Sequence, residues 1–416
     1  MIQVCDAIMG TGKSSAAITY MNEHPGDKFI YITPYLEEAE RIKKGCPNMH
    51  FVEPSSKLKE YNFKKCDHTA SLIKQGRNIT TTHQAFKRYS EDMLEDIEKY
   101  GYRLIIDENV DVLERHDLHP DDMKLALDAG LIKKDEDTYF LSDNNYHGIF
   151  FREIVKFLNS RQLIEMDDSA GTHLFYWVLP PDLITAFKDV IILTYLFKGQ
   201  SLHHFLEMHH LPYKYIGISK SDDGKFSFCD APGYTPDYVA HLKDMIHVLD
   251  NPRMNNIGDD KNALSMGWFN RHQEDSDMQQ LKANIYNCIN NIWRDAPAKE
   301  KMWGTYNDCR HMVSNKGYTR SFLRFNMKAT NEYRNRHYMA YLVNIFMNVG
   351  EKLFYKRHGI DVDDNMYALS IMVQWIWRSA IRDGDEVYLY IPSKRMRTLL
   401  INWIDEVSGG GQETHA

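Results

Sequence analysis

Residues Ala7-Ile8-Met9-Gly10-Thr11-Gly12-Lys13-Ser14 have the residue types and spacing of a phosphate-binding loop, with Ala7 where the simplest form has glycine. Gly10 and Gly12 permit backbone conformations that turn successive N–H groups inward around phosphate oxygens, and a helix starting at Lys13 adds the positive end of its dipole. Lys13 can then reach the β and γ phosphates of a nucleotide. The Ser14 hydroxyl can ligate Mg²⁺, and Thr11 and Ser15 complete the cradle. The loop follows the apolar run Ile2–Cys5 and precedes SSAAITYMN, a good helix former, which is the strand–loop–helix context the motif requires.

Such a loop holds phosphates without activating water, so a second group is needed. Leu104-Ile105-Ile106-Asp107-Glu108, about ninety residues further on, is an apolar strand ending in two acids. Asp107 there can hold Mg²⁺ through water, and Glu108 can orient or deprotonate the attacking water. Lys13, Asp107 and Glu108 together imply hydrolysis of ATP or a related nucleotide with Mg²⁺.

The elements that must position these groups are legible as alternation. Ile2–Cys5, KFIYIT at 28–33, NITTT at 78–82, RLIIDE at 103–108 and VIILT at 190–194 alternate with amphipathic stretches, the pattern of βαβ units and a parallel sheet. LIID and VIILT are continuous apolar runs, as expected for central strands covered on both faces. The charged and aromatic stretch 115–185 reads as a mainly helical insertion. We expect an α/β protein with a first domain over 1–210, a connecting segment over 211–260, a second domain over 261–407 and a flexible tail, SGGGQETHA, over 408–416. In the second domain, EKMWGTYN and EVYLYIPS read as strands. Helices are expected at Asp277–Trp293, around 338–348 and over Met366–Ile381.

In this order the sequence resembles the superfamily 2 helicases, in particular compact DEAD/DEAH-like helicases of bacteriophages. The loop at Ala7–Ser14 is similar to motif I. Thr33-Pro34 with Leu36-Glu37-Glu38-Ala39 is similar to motif Ia, Thr81-Thr82-His83 to a strand-contact motif, and Asp107-Glu108-Asn109-Val110 to the DEAD box. Thr194 sits where motif III couples hydrolysis to movement. Ala329-Thr330-Asn331-Glu332-Tyr333 resembles motif V and Gln374 to Arg382 resembles motif VI.

The resemblance implies two RecA-like domains, and Gln374, Arg378 and Arg382 as catalytic residues of the second. At i, i+4 and i+8 these three would share one helix face. Either arginine could act as the finger that stabilises charge on the transferred phosphoryl group. Motif VI usually has glycine where Trp377 stands, and its arginines are usually three apart rather than four. The resemblance further implies nucleic-acid contacts at Thr33, Thr81, His83, Thr330 and Asn331, with single-stranded or branched DNA favoured over RNA. Arg320, Arg324, Lys328, Arg334 and Arg336 form a basic cluster beside motif V.

Composition bounds these expectations. With 43% hydrophobic and 26% charged residues the chain has the balance of a globular protein able to bury sizeable cores. No apolar run approaches the roughly 18–20 residues of a membrane span, and no signal-peptide pattern is present, so a cytoplasmic protein is expected, in the host cytoplasm if phage-encoded, monomeric or loosely associated. Six scattered cysteines without a CxxC pair indicate neither a zinc site nor a disulfide framework. The net charge of −8 excludes a uniformly basic surface, although Lys and Arg outnumber Asp and Glu by about six between Lys301 and Asp405. HHFLEMHH at 203–210 reads as a surface linker rather than a metal site, and Lys394–Arg397 as a phosphate contact or a domain cap. Two other classes stay open: a different P-loop machine such as a terminase motor, for which Asp361, Asp363 and Asp364 would be the nuclease carboxylates, and a helicase-fold scaffold without unwinding.

Overall fold

The computed structural model describes residues 1–34, 36–142, 148, 151–158, 163–167, 173–327 and 332–409. The chain divides into two compact α/β units. Met1–Ala7, Gly12–Gly233 and Asn348–Val362 form the first; Ile8–Thr11, Tyr234–Met347 and the chain from Asp363 onward form the second.

The first unit begins with strands β1 (Ile2–Asp6), β2 (Phe29–Thr33), β3 (Ile79–Thr82) and β4 (Arg103–Asp107). An excursion follows through β5 (Leu113–His116), β6 (Ile132–Asp135), β7 (Thr138–Leu141), β8 (Leu163–Asp167) and β9 (His173–Val178). The chain then returns as β10 (Asp189–Thr194), β11 (Tyr213–Lys220) and β12 (Phe226–Asp230). The main sheet has the order β12-β11-β1-β10-β4-β2-β3 and is parallel except for the β11–β12 hairpin. Its central strands are buried along their length, FIYIT without exception, which is why they read as unbroken apolar runs. Ala16, Ala17 and Met21 of the Lys13–Glu23 helix pack on Cys5, Ile105, Ile191 and Leu193 of the sheet. Each large side chain fully buried in this way contributes about 1.5–3 kcal/mol.

The excursion corrects the expected helical insertion. Its strands form a five-stranded antiparallel sheet, β5-β9-β8-β7-β6, with the helices Pro120–Asp128 and Arg152–Leu158 packed on it. HLFYWV and TYFL are rich in aromatic residues that suit a pleated, half-buried surface, and they pair across the sheet, Leu163 with Trp177 and Tyr139 with Leu163.

The stretch 211–260, expected as a connector, supplies β11 and β12 to the first sheet and β13 (Ile246–Val248) to the second. The second unit's sheet is wholly parallel, in the order β13, β16 (Val387–Tyr390), β15 (Tyr338–Tyr341), β14 (Lys301–Gly304). The expected helix around 338–348 is therefore β15 and the segment after it, because YMAY inserts between β14 and β16 and is covered from both faces. Trp303, Phe269, Leu281 and Tyr390 anchor this unit's core. After it the chain returns to the first unit, where Tyr355 donates to the Ser201 carbonyl at 3.0 Å and Tyr176 to Asn348 Oδ1 at 3.3 Å. Among the described residues, no helix is long and apolar enough to cross a membrane.

Candidate functional site

Register places the chemistry at the carboxyl ends of three adjacent strands. Asp6 at the end of β1 lies opposite Thr194 of β10, and Leu193 of β10 lies opposite Asp107 of β4. In open α/β sheets this edge is where ligands bind.

From β1 the chain enters the glycine loop. Gly10 and Gly12 have φ of +90° and +91°, the left-handed region that glycine tolerates and other residues rarely adopt. A Cβ on Gly12 would lie 2.5 Å from the Phe226 ring, so space as well as backbone demands glycine there. Thr11 Oγ1 ties the turn by donating to the Ile8 carbonyl at 2.9 Å. The Lys13–Glu23 helix opens with no acidic residue in its first turn and no side-chain cap at Gly12. With no acid of its own in the first turn, the helix keeps the positive end of its dipole at the loop, which suits an anion. Lys13 donates to the carbonyl of Ala7, across the loop.

The acids arrive from β4. Asp107 Oδ2 accepts a hydrogen bond from the Tyr31 hydroxyl at 3.0 Å, and the same hydroxyl accepts one from Ser14. Tyr31 is fully buried on β2 and so joins the two residues expected to hold Mg²⁺. Glu108 has φ +64°, an uncommon conformation for a non-glycine residue, and its N–H donates to Leu193 O at 3.0 Å. His83 Nε2 is 2.9 Å from the Asp107 carbonyl and fixes the end of β4 from the other side.

The electrostatics are those of a site short of positive charge. Burial pushes the Asp107 carboxyl up to about 7, Glu38 and Glu108 push the same way, and Tyr31 and Lys13 only partly oppose them. Burial lowers the Lys13 pKa against the favourable charges of Cys5, Asp6, Asp107 and Glu108. A hydroxyl and a crowded carboxylate beside a further carboxylate form an all-oxygen donor set that fits a hard divalent cation such as Mg²⁺. Ser14 and Asp107 would hold it, and Gly10, Thr11, Gly12, Lys13, Ser14 and Ser15 would hold the phosphates.

Four further residues support these groups, and of them only Glu38 falls within a motif, the Ia-like segment. Tyr31 and Glu38 act on Asp107. Arg41 pairs with Glu38 at 2.9 Å and donates to Ser15 Oγ at 2.9 Å, linking the loop's helix to the acid. Asp6 accepts the N–H groups of Leu196 at 2.7 Å and Phe197 at 3.0 Å, where Leu196 is left-handed at φ +56°. The signal for Asp6 was present in the sequence, as an acid directly before the glycine loop.

The other expected residues are placed as follows. Thr194 is buried and donates to Gln200 Oε1 at 2.8 Å. Thr33, Thr81 and His83 are buried at the ends of β2 and β3, whereas Thr330 and Asn331 lie outside the described residues, as does the tail beyond Gly409. In the second unit, Gln374, Arg378 and Arg382 do not share a helix face. The Asp364–Ile376 helix ends before Arg378, Ser379 is extended and bonds back to the Ile376 carbonyl at 2.6 Å, and Arg382 lies on a separate 3-10 turn, Ala380–Asp383. Arg378 is buried and Arg382 partly exposed.

Several basic groups near motif V are held by protein partners. Arg334 pairs with Asp383, Arg336 donates to the carbonyls of Ala298 and Lys301, and Arg324 donates to Asn307. Arg395 and Arg397 bond the carbonyls of Ile345, Asp364, Ile391 and Pro392 and cap the domain. Asp363 caps the following helix and Asp364 accepts from Met347 N–H, which spends two of the three nuclease candidates on structure. HHFLEM, expected as a surface linker, is the Ser201–Met208 helix with His203 and His204 buried, because Leu202, Phe205 and Leu206 take it into the core.

Residues 240–404 match the family described as the YonV C-terminal Rossmann-like domain. Among solved structures, the fold is similar to Xpd4 of S. tokodaii, at 12% identity and TM-score 0.48 over 97% of this chain and 94% of that one. It is also similar to a structure described as apo XPD, at 11% identity and TM-score 0.45 over 96% and 95%. The SPbeta prophage-derived uncharacterized protein YonV of Bacillus subtilis (strain 168) is 33% identical over 412 residues, 97% of this chain and 98% of that protein. The chain therefore belongs to the YonV family.

Proposed function

We propose that this protein is a Mg²⁺-dependent ATPase of superfamily 2 helicase or translocase type, acting on single-stranded or branched DNA. The observation that carries the reading is the convergence of the glycine loop and the acidic strand end, with Ser14 and Asp107 meeting on one buried tyrosine hydroxyl.

In this reading the loop amides and Lys13 bind the phosphates, and Lys13 leaves the Ala7 carbonyl to do so. Ser14 and Asp107 hold Mg²⁺, which when bound neutralises charge developing on the transferred phosphoryl group. Glu108, set by its left-handed backbone, orients the attacking water and takes its proton. Asp6 and Thr194 fasten the Leu196–Gln200 segment to β1 and β10, so a change at the loop is felt where the motif III-like segment begins. Gln374 and either Arg378 or Arg382 serve the γ-phosphate during turnover. Backbone groups at the ends of β2 and β3, beside Thr33, Thr81 and His83, grip the DNA phosphates together with Thr330 and Asn331.

The test is ATP hydrolysis measured with single-stranded, duplex and branched DNA and with RNA, followed by strand displacement on the best activator. Single-stranded or branched DNA should stimulate turnover most, and less as salt rises. Hydrolysis that no polymer changes at low salt would overturn the nucleic-acid part and leave a simple triphosphatase.

A further inference from the structure

Outside the nucleotide site, the Ser201–Met208 helix carries a cluster that the proposed chemistry does not use. His203 and His204 are both more than nine-tenths buried, and Glu207 stands on the next turn with its carboxylate partly in solvent. His203 Nε2 is 3.4 Å from Glu207 Oε2, and His204 Nδ1 is 4.0 Å from the same oxygen. One ligand atom from each of the three residues lies within 4.8 Å of the others. Ligands at 2.0–2.1 Å around a tetrahedral zinc ion are separated by about 3.3 Å, so small side-chain rotations would close the set.

We propose that His203, His204 and Glu207 form a binding site for a divalent transition-metal ion of the zinc class, with the remaining coordination position open to water. Two features favour a metal over a simple ion pair. The other ring nitrogen of His203, Nδ1, lies 3.2 Å from the Tyr213 hydroxyl on β11. A bond to the second nitrogen of this kind fixes the ring and directs Nε2 at the ion, as outer partners do at metal-ligating histidines. The rings are also held by packing, His203 against Phe197 at 5.4 Å and His204 against Tyr355 at 5.3 Å, so little order would be lost on binding. The other His/Asp cluster among the described residues, His272, Asp275 and Asp277, differs in kind. There the Asp275 carboxylate is spent on the N–H groups of Asp277 and Met278 as a helix cap.

The probe is the metal alone, Co²⁺ and then Zn²⁺, added to the full chain without a histidine tag after chelator treatment. We expect one equivalent of Co²⁺ with the intense visible absorption of tetrahedral coordination, displaced by Zn²⁺, and a higher melting temperature with Zn²⁺ bound. Glu207 is exposed enough for Glu207→Gln to keep the fold, and it should weaken Zn²⁺ binding tenfold or more and abolish the melting shift. The double variant His203→Ala, His204→Ala should bind none. His209→Ala with His210→Ala should leave binding unchanged. No binding by the unmodified chain, or binding that Glu207→Gln leaves intact, or binding removed by the His209 and His210 pair, would overturn the proposal. ATP hydrolysis is not the readout, so failure here leaves the nucleotide site untouched.

Discussion

Among the described residues, the first unit contains two carboxylates that accept a hydrogen bond from a tyrosine, one in each of its sheets, and their environments are opposite. Asp107 takes the Tyr31 hydroxyl at 3.0 Å, and Glu165 takes the Tyr139 hydroxyl at 2.7 Å. Burial acts upward on both. At Glu165 the hydrogen bonds from Lys134 and Tyr139 and the charges of Lys134 and His173 outweigh it, holding the group below the usual carboxylate range. At Asp107 the charges of Glu38 and Glu108 add to burial, Tyr31 and Lys13 oppose them only in part, and the carboxyl is driven up to about 7. One tyrosine bond therefore completes a structural pair in the antiparallel sheet and leaves a cation-deficient site in the parallel one. The positive charge missing around Asp107 is what Mg²⁺ and the phosphate-bound lysine would supply.

The largest effects should come from removing groups that face the nucleotide. Lys13→Ala should reduce ATP hydrolysis by about a thousandfold or more, the scale of losing a principal electrostatic stabiliser. Glu108→Gln should abolish turnover to the same degree yet still bind ATP with Mg²⁺, measured by equilibrium titration with a fluorescent nucleotide. Full turnover by Glu108→Gln would remove the assignment of the water-orienting group. Glu165→Gln, the matching change in the other pair, should leave hydrolysis unaltered.

The tyrosines give the next effect. Tyr31→Phe removes the hydroxyl that positions Asp107 and Ser14, and should raise the Mg²⁺ concentration for half-maximal hydrolysis by about tenfold, as loss of an outer partner does at metal sites. Tyr139→Phe should leave that concentration unchanged and cost about 1 kcal/mol of unfolding free energy, the net worth of a hydrogen bond. Equal Mg²⁺ responses in the two variants would erase the distinction between the pairs.

The difference between these regions also explains what was legible in the sequence. The glycine loop and the LIIDE strand could be read because their pattern is local: Gly10, Gly12 and Lys13 have the spacing that a bound phosphate would require, and β4 is an apolar run ending in acid. The roles of Tyr31, Glu38 and Arg41 were hidden because each acts across elements, and sequence distance says nothing of which strand lies beside β1 or β4, whereas Asp6 stands directly before the glycine loop. The insertion was misread because its strands are short and interspersed with charges, as in IKKDEDTYFL, where one solvated face masks the period of two. Motif VI was misread for the reverse reason. Its spacing of four suggested one continuous helix, while the helix ends at Ile376, before Arg378, and Ser379 spends its hydroxyl on the Ile376 carbonyl ahead of the separate turn that carries Arg382.

The smallest effect is a difference in how pH acts on the two pairs in the metal-free protein. Asp107 is raised in the folded state, so between about pH 4 and 7 the native chain holds a proton that the unfolded chain has lost. Unfolding free energy then falls as pH rises through 7. Glu165 is lowered, so its contribution is present above the unfolded carboxylate value and is lost as pH falls through its folded one. Asp107→Asn should therefore stabilise the metal-free chain at pH 8, by about 1–2 kcal/mol once solvent access is discounted, and by less at pH 5. Glu165→Gln should destabilise at pH 8 by a smaller amount. Denaturant melts of both variants at the two pH values check the signs. If Asp107→Asn destabilised the metal-free protein at pH 8, the parallel-sheet site would already be neutralised by its own residues, and the contrast with Glu165 would fail.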